Sequence, residues 1–559
     1  MSAAPGQSSS FADRAPIELP HAARMRILGA VMLGIFLAAL DQTVVGTALP
    51  VIITDLGGNE FYTWAFTAYL LTSTISGPVY GKLSDLFGRR PIFLFGVSLF
   101  LIGSALCGLS QEMWQFIVFR GVQGLGAGAL FPIALAIIGD LFSPSERGRY
   151  QGLFGAVFGV SILVGPAIGG IITDNFGWHW VFFVNLPLGA VVLWLIYRYL
   201  PAYHLGADRV RIDYVGAALF AAALVPFLVG LTNKNSLPWE DPWVGGLMLL
   251  GLAIGAIFVL WEARAPEPIV SLQLFRNRSF TISVSAVFLA AFGFFAAVVF
   301  LPRWFQVVEG SSATESGYQI LPLLGGLIVS AVASGQIVAR TGRYKMLIFG
   351  ALLVMAVGLY LLSTMNRDTP VPVLWLFMLI TGLGVGPTFA VFTLVVQNSV
   401  PIAQLGSATS NLTFFQQVGG TVGLAITGTI FATTMAEQTP RLLAAANVPP
   451  EALGAAGSAL ARQDILTSVG PLGPKILGTL ADDARAVVEP HIDAIVDAIY
   501  RAFSLATAST FAVGIVAALI AAGLVLLYHE RKMGTVDWSA TPEAGVAGGP
   551  SEVSLSEGS

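Results

Sequence analysis

Charge is what this chain of 559 residues has least of: only 11% of its residues are Asp, Glu, Lys or Arg, against 55% hydrophobic. Soluble domains carry about 25% charged residues. Too little polar surface is therefore available to cover a water-facing core. The hydrophobic residues also fall in long runs, such as 27–40 and 93–109, not at amphipathic spacing. Lipid is the solvent that suits them. Cysteine is nearly absent: Cys107 stands alone inside an apolar run, which excludes a disulfide framework and leaves a small packing residue. The five histidines, His21, His179, His204, His491 and His529, sit at segment ends, loops and tails, which argues against a haem or metal site in the membrane. No GxxxxGK[ST] occurs, and GPVYGKL at 77–83 has the wrong spacing and ending, so direct drive by ATP has no support. No His, Asp or Glu cluster marks an enzyme at either membrane face, and the tails carry no signalling domain.

What is present is a series of spans. A helix needs about 20 apolar residues to cross the hydrocarbon. By that measure there are fourteen, at 27–50, 60–80, 91–109, 114–139, 149–173, 177–199, 212–232, 243–262, 279–302, 316–339, 345–364, 371–398, 406–436 and 501–528. The expected fold is an all-α membrane protein with fourteen transmembrane helices. Its plan is a cytoplasmic tail at 1–26, a six-helix bundle at 27–200, two inserted helices within 201–278, a second six-helix bundle at 279–530 and a tail at 531–559. The first run is longer than the core of a signal peptide and leads directly to further spans, so it is read as a membrane helix. With the N-terminus inside, the loops and tails on the inner side hold 19 of the 28 Lys and Arg, the outer side 8, and Arg120 lies within a span. The positive-inside rule then places both termini in the cytoplasm. The one long loop, 437–500, falls outside and ends in a stretch of helical apolar spacing (Val487, Val488, Ile492, Ile495, Val496, Ile499) expected to run into the last span. That loop is a candidate cap, a plain solvated hairpin, or the docking place of a periplasmic partner.

Two residues carry most of the chemistry. Asp41 lies fifteen residues past Arg26, roughly 22 Å into the membrane at about 1.5 Å per residue. A carboxylate at such depth costs about 2.5–3.5 kcal/mol on insertion scales and so faces a cavity or a partner. Arg120, six residues past Trp114, enters from the other side to about 9 Å and reaches a comparable depth. The two can meet across the first and fourth spans, as a titrating pair or as a static salt bridge. Polar residues on the early spans, Gln42, Tyr69 and Gln123, and Gln416 and Gln417 from the other half, are candidates for a substrate cavity. Gly124, Gly126 and Gly128 follow no strand, so they read as close helix packing and not as a nucleotide loop.

A short repeat joins the halves. GKLSDLFGRRP at 81–91 and GQIVARTGRYK at 335–345 each hold a Gly, a second Gly seven residues on, and then a basic residue, at corresponding places in the two bundles. With this pattern the sequence resembles the major facilitator superfamily, in its fourteen-helix drug:proton antiporter branch, over about 27–530. Gly81, Asp85, Gly88, Arg89 and Arg90 match the family's cytoplasmic loop, LDQTVVGTALP at 40–50 its first-helix motif, and RGVQGLGAG at 120–128 its fourth-helix motif. GPAIGG at 165–170, with Gly165, Pro166, Gly169 and Gly170, matches the fifth-helix motif of antiporters. His179 and Gln416 stand where relatives often have Arg, and the second loop copy lacks the Asp.

The resemblance implies a proton-coupled antiporter in the inner membrane, exporting small lipophilic or singly cationic compounds, monomeric, with no cofactor and no nucleic-acid partner. It implies proton coupling through Asp41 and Arg120, and a gate braced by the 81–90 loop, with Glu146 and Arg147 as its expected partners. Export of an endogenous lipid, siderophore or antibiotic is the alternative cargo.

Overall fold

The computed structural model describes residues 19–530 except 57–61, 203–212, 235–236, 267, 402–403, 447, 450–471 and scattered positions between 143 and 174, Arg147 and Pro166 among them. Every regular element among the described residues is helical. In the first half these are α1 (His21–Leu56), α2 (Tyr62–Phe87), α3 (Arg89–Gly108) and α4 (Met113–Leu141). A fifth segment follows, helical at each described position from 150 to 173, and then α5 (His179–Tyr199). The inserted pair is α6 (Tyr214–Asn233) and α7 (Leu247–Glu262). The second half holds α8 (Arg278–Val307), α9 (Leu321–Thr341), α10 (Lys345–Ser363), α11 (Val371–Ser399), α12 (Leu405–Ala445) and α13 (Ile492–Leu526).

Twelve helices among the described residues are long and apolar enough to cross a membrane, two fewer than the fourteen expected. One shortfall is the fifth segment, much of which lies outside the described residues. The other is α2, where Thr72, Ser73, Thr74 and Ser76 fall in succession and lower the hydropathy. Those hydroxyls are largely absorbed locally: Thr72 Oγ1 donates to the Ala68 carbonyl at 2.9 Å and Ser73 Oγ to Leu70 at 3.0 Å. Such back-bonding makes a polar helix tolerable in the membrane interior. Beyond the bundles, α12 is a 41-residue helix that outruns the expected span end at 436. The predicted outer helix is divided: Asp482–Val488 is followed by a 3-10 turn at Glu489–His491 before α13 begins.

Each half is packed by one device used twice. GLGAG at 124–128 in α4 has a counterpart, GLGVG, at 382–386 in α11. A Cβ on Gly126 would stand 2.2 Å from the Phe100 nitrogen of α3, and one on Gly384 2.2 Å from the Met355 nitrogen of α10. The outer glycines of each triplet meet the other neighbour. Gly124 and Gly128 press on α2 at Tyr69 and Ser73, as Gly382 and Gly386 press on α9 at Leu323 and Leu327. In lipid, apolar side chains gain little by leaving solvent, so backbone-to-backbone approach is what holds such helices together.

Candidate functional site

The first cluster lies where α1, α4 and α5 meet. Asp41, Arg120, Gln123 and Asn185 are each 2% exposed or less. Arg120 Nη1 donates to Asp41 Oδ2 at 2.8 Å and to Gln123 Oε1 at 2.7 Å. Gln123 Nε2 donates to Asp41 Oδ1 at 2.7 Å, and Asn185 Nδ2 donates to the same oxygen at 2.9 Å. The guanidinium lies 4.2 Å from the centroid of the Tyr69 ring, and its Nε donates to the Ala65 carbonyl at 3.3 Å. A buried ion pair of this kind is tolerable because both charges are paired and hydrogen-bonded. Loss of one partner costs about 3–5 kcal/mol. The fifth segment closes the other side of α1: a Cβ on Gly165 would meet Thr43 Oγ1 at 2.0 Å, and Thr43 Oγ1 donates to the Ser161 carbonyl at 3.1 Å. Gly169 is buried, a Cβ on Gly170 would have open space, and Pro166 lies outside the described residues.

Beside this cluster is a narrow cleft between the halves. Gln42, Tyr69 and Gln417 line it, together with Thr74, Phe131 and Phe414. Gln123 does not: it is sealed inside the ion cluster, and Gln416 is not among the lining residues. Tyr69 belongs to both, with its ring against Arg120 and the residue among those lining the cleft.

The second cluster ties α2 to α12. Arg89 is fully buried and divides its donors between two carboxylates. Its Nε donates to Asp140 Oδ2 at 2.8 Å, and its Nη1 bonds Asp85 and, at 2.8 Å, Ser84 Oγ. Asp85 then crosses to the other half. Its two oxygens accept from the Gly406 nitrogen at 2.9 Å and the Ser407 nitrogen at 2.7 Å, in the first turn of α12. Unsatisfied amides and the helix dipole make such a turn a seat for an anion. Two glycines permit the approach, since a Cβ on Gly81 would stand 2.8 Å from the Gly406 carbonyl and one on Gly406 2.5 Å from Arg89 Nη1. Gly88, at φ 93°, makes the corner between α2 and α3.

Glu146 pairs with Arg24 at 3.6 Å, and Arg147 lies outside the described residues. Arg90 turns away to stack on Tyr197 of α5 at 4.6 Å. The second loop copy keeps the corner, with Gly342 at φ 67°, but serves its own half: the Tyr344 and Lys345 nitrogens donate to Glu530 Oε1 at 2.8 and 3.1 Å.

Sequence reasoning missed Asp140, Asn185 and the first turn of α12. Asn185 is a single polar residue inside the apolar FFVNLPLG, and that isolation was its signal. Hydrogen bonds to a charged group contribute about 1.5–3 kcal/mol. Asn185→Ala should therefore lower the melting temperature of the purified protein in detergent by an amount matching about 1.5–3 kcal/mol, and Asn185→Ser, which keeps a donor, should recover part of it. An unchanged melting temperature in the Ala variant would show that Asn185 does not hold the cluster together.

The sequence pattern of the Major Facilitator Superfamily matches residues 31–424. The chain belongs to the Major Facilitator Superfamily. It is 39% identical over 408 residues to the "Multidrug transporter protein MdtP" of Bacillus subtilis (strain 168), covering 73% of this chain and 75% of that one. To "Multidrug resistance protein 3" of the same organism it is 39% identical over 405 residues, covering 72% and 78%. Among solved structures, the human organic anion transporter MFSD10 shares the fold at a TM-score of 0.55 and 18% identity, over 74% of this chain and 94% of that one. As a member of the Major Facilitator Superfamily with such relatives, the chain is a multi-pass membrane transporter and not an enzyme.

Proposed function

We propose that this transporter is a proton-coupled antiporter that exports small lipophilic or singly cationic compounds across the inner or plasma membrane. The supporting observation is the placement of Asp41, a hydrogen-bonded buried carboxylate whose partner Arg120 stacks on Tyr69, a residue that also lines the cleft. Protonation of Asp41 would cancel the charge that Arg120 faces, loosening α1 from α4, and cargo and proton would then occupy the two sides of Tyr69 in turn. The excess of Lys and Arg in alternate loops supports a cytoplasmic position for the Asp85–α12 contact and for both termini. On this reading the Asp85–α12 contact bars the cleft from the cytoplasm, the arrangement in which an exporter releases cargo and takes up a proton. The names of the Bacillus relatives favour drugs over an endogenous lipid as cargo.

The test is uptake of a lipophilic cationic dye by everted vesicles under an imposed proton gradient. Accumulation should depend on the protein and collapse on adding an uncoupler. Accumulation that persists after the gradient is dissipated would exclude proton coupling.

A further inference from the structure

The inserted helices have no place in the two-bundle plan, yet they do not hang free. α6 lies along the seam where α2 of the first half meets α12 of the second. At one level Phe220 packs with Phe414 of α12 and with Ile75 of α2. At another, Leu228 and Leu231 pack with Ala425 of α12 and Leu71 of α2. α7 covers α6 from outside and presents Leu249, Leu252 and Leu260, each more than half exposed, to the lipid side.

The cleft leans toward this same seam, since its lining residues come from α1, α2, α4 and α12. Phe414 is one of them, and its ring is 5.3 Å from that of Phe220, so a single aromatic ring divides the cleft from the inserted pair. The seam is crossed there by one polar tie, Thr74 Oγ1 donating to Gln417 Oε1 at 2.6 Å.

The two sides of the seam are held unequally. Toward the second half α6 makes an aromatic contact, Phe220 on Phe414, and the chain that follows α7 is anchored there by Phe275 on Phe415 at 6.0 Å and by Asn277 Nδ2 donating to the Ser399 carbonyl at 2.6 Å. Toward α2 the contacts of α6 are aliphatic, through Leu71, Ile75 and Val79, with one electrostatic interaction beyond them between Lys82 of α2 and Glu262 of α7. Apolar contact between helices has little advantage over contact with lipid tails. The α2 side is therefore the weaker line.

The geometry points to α6 and α7 as a lateral gate: they ride with the second half, part from α2, and pass uncharged lipophilic cargo between the bilayer and the cleft, with Phe220 and Phe414 as the selecting rings. This inference rests on the exporter reading above and adds the route. An apolar corridor admits molecules already dissolved in the membrane and excludes hydrated cations, which must use the aqueous end.

The test locks the weaker line. In a Cys107→Ser background, Ile75→Cys and Phe220→Cys are bridged with a short, reducible bifunctional thiol reagent, and a monofunctional reagent of the same chemistry serves as control. Bridging should slow transport of an uncharged lipophilic dye about tenfold or more, as expected when a gating motion is blocked. Reduction should restore the rate. A water-soluble singly cationic dye should keep its rate in the bridged protein. Unchanged transport of the lipophilic dye would show α6 to be a fixed filler. Equal loss of both dyes would show that α6 must move in every cycle and selects nothing. Either result overturns the gate while leaving the exporter reading intact. If the unbridged protein, folded and in sealed vesicles, moves neither dye, both fall together.

Discussion

Asp41→Asn should reduce gradient-driven dye accumulation to the level of empty vesicles while leaving the protein folded. The substitution keeps the size of the side chain but only one acceptor oxygen: turned toward Gln123 and Asn185 it keeps those two donors, and an NH2 then faces Arg120 Nη1, which retains Gln123 Oε1. What it removes is the group that can gain and lose a proton. It also leaves the Arg120 charge buried without its counter-charge, a cost of about 3–5 kcal/mol. That penalty falls on stability, so monodispersity in detergent must be measured beside transport. The decisive comparison is between net transport and exchange. Dye–dye exchange needs no net proton movement and should survive in Asp41→Asn when accumulation does not. An Asn variant that accumulates dye as well as wild type would make the Asp41–Arg120 pair a static brace, with the proton carried elsewhere.

Arg89→Gln should open the contact between α2 and α12. Arg89 holds Asp85 and Asp140 with no exposure to water, and its removal takes the paired positive charge from two buried carboxylates. Breaking a buried pair costs about 3–5 kcal/mol, which at 1.4 kcal/mol per decade is a shift of roughly a hundredfold or more in the open-to-closed ratio. The readout is alkylation of Thr413→Cys, in a Cys107→Ser background, by a membrane-impermeant maleimide applied from the Asp85 face. Thr413 lines the cleft behind the contact. Labelling should accelerate by that factor in Arg89→Gln and by less in Arg89→Lys, because an ammonium lacks the fork that reaches two carboxylates. Identical labelling with and without Arg89 would mean that the contact does not govern access.

The spans were readable because lipid demands long apolar runs, and Asp41 and Arg120 because a charge at membrane depth is costly enough to be conspicuous. α2, read as a span at 60–80, is a helix of 26 residues; its hydroxyls lower its hydropathy but satisfy themselves on the preceding turn. Asp140 sits at a helix end, where an acid carries no such cost and draws no attention. Across the seam Asp85 meets the main-chain nitrogens of Gly406 and Ser407, which no side-chain pattern announces. The loop repeat signalled two halves, but the clearer echo was GLGAG and GLGVG, which becomes meaningful once each glycine is seen against a neighbouring backbone.

The amides that receive Asp85 have a genetic consequence. A main-chain nitrogen is encoded by every residue except proline, so most codon changes at Ser407 leave the donor in place. Gly406 is different only because a side chain there would collide with Arg89 and Asp85. A selection for variants that leak through this contact should therefore recover many alleles at positions 85, 89, 140 and 406, and at 407 chiefly proline and residues too bulky for that buried site. The two halves of the transporter offer mutation unequal targets at one and the same contact.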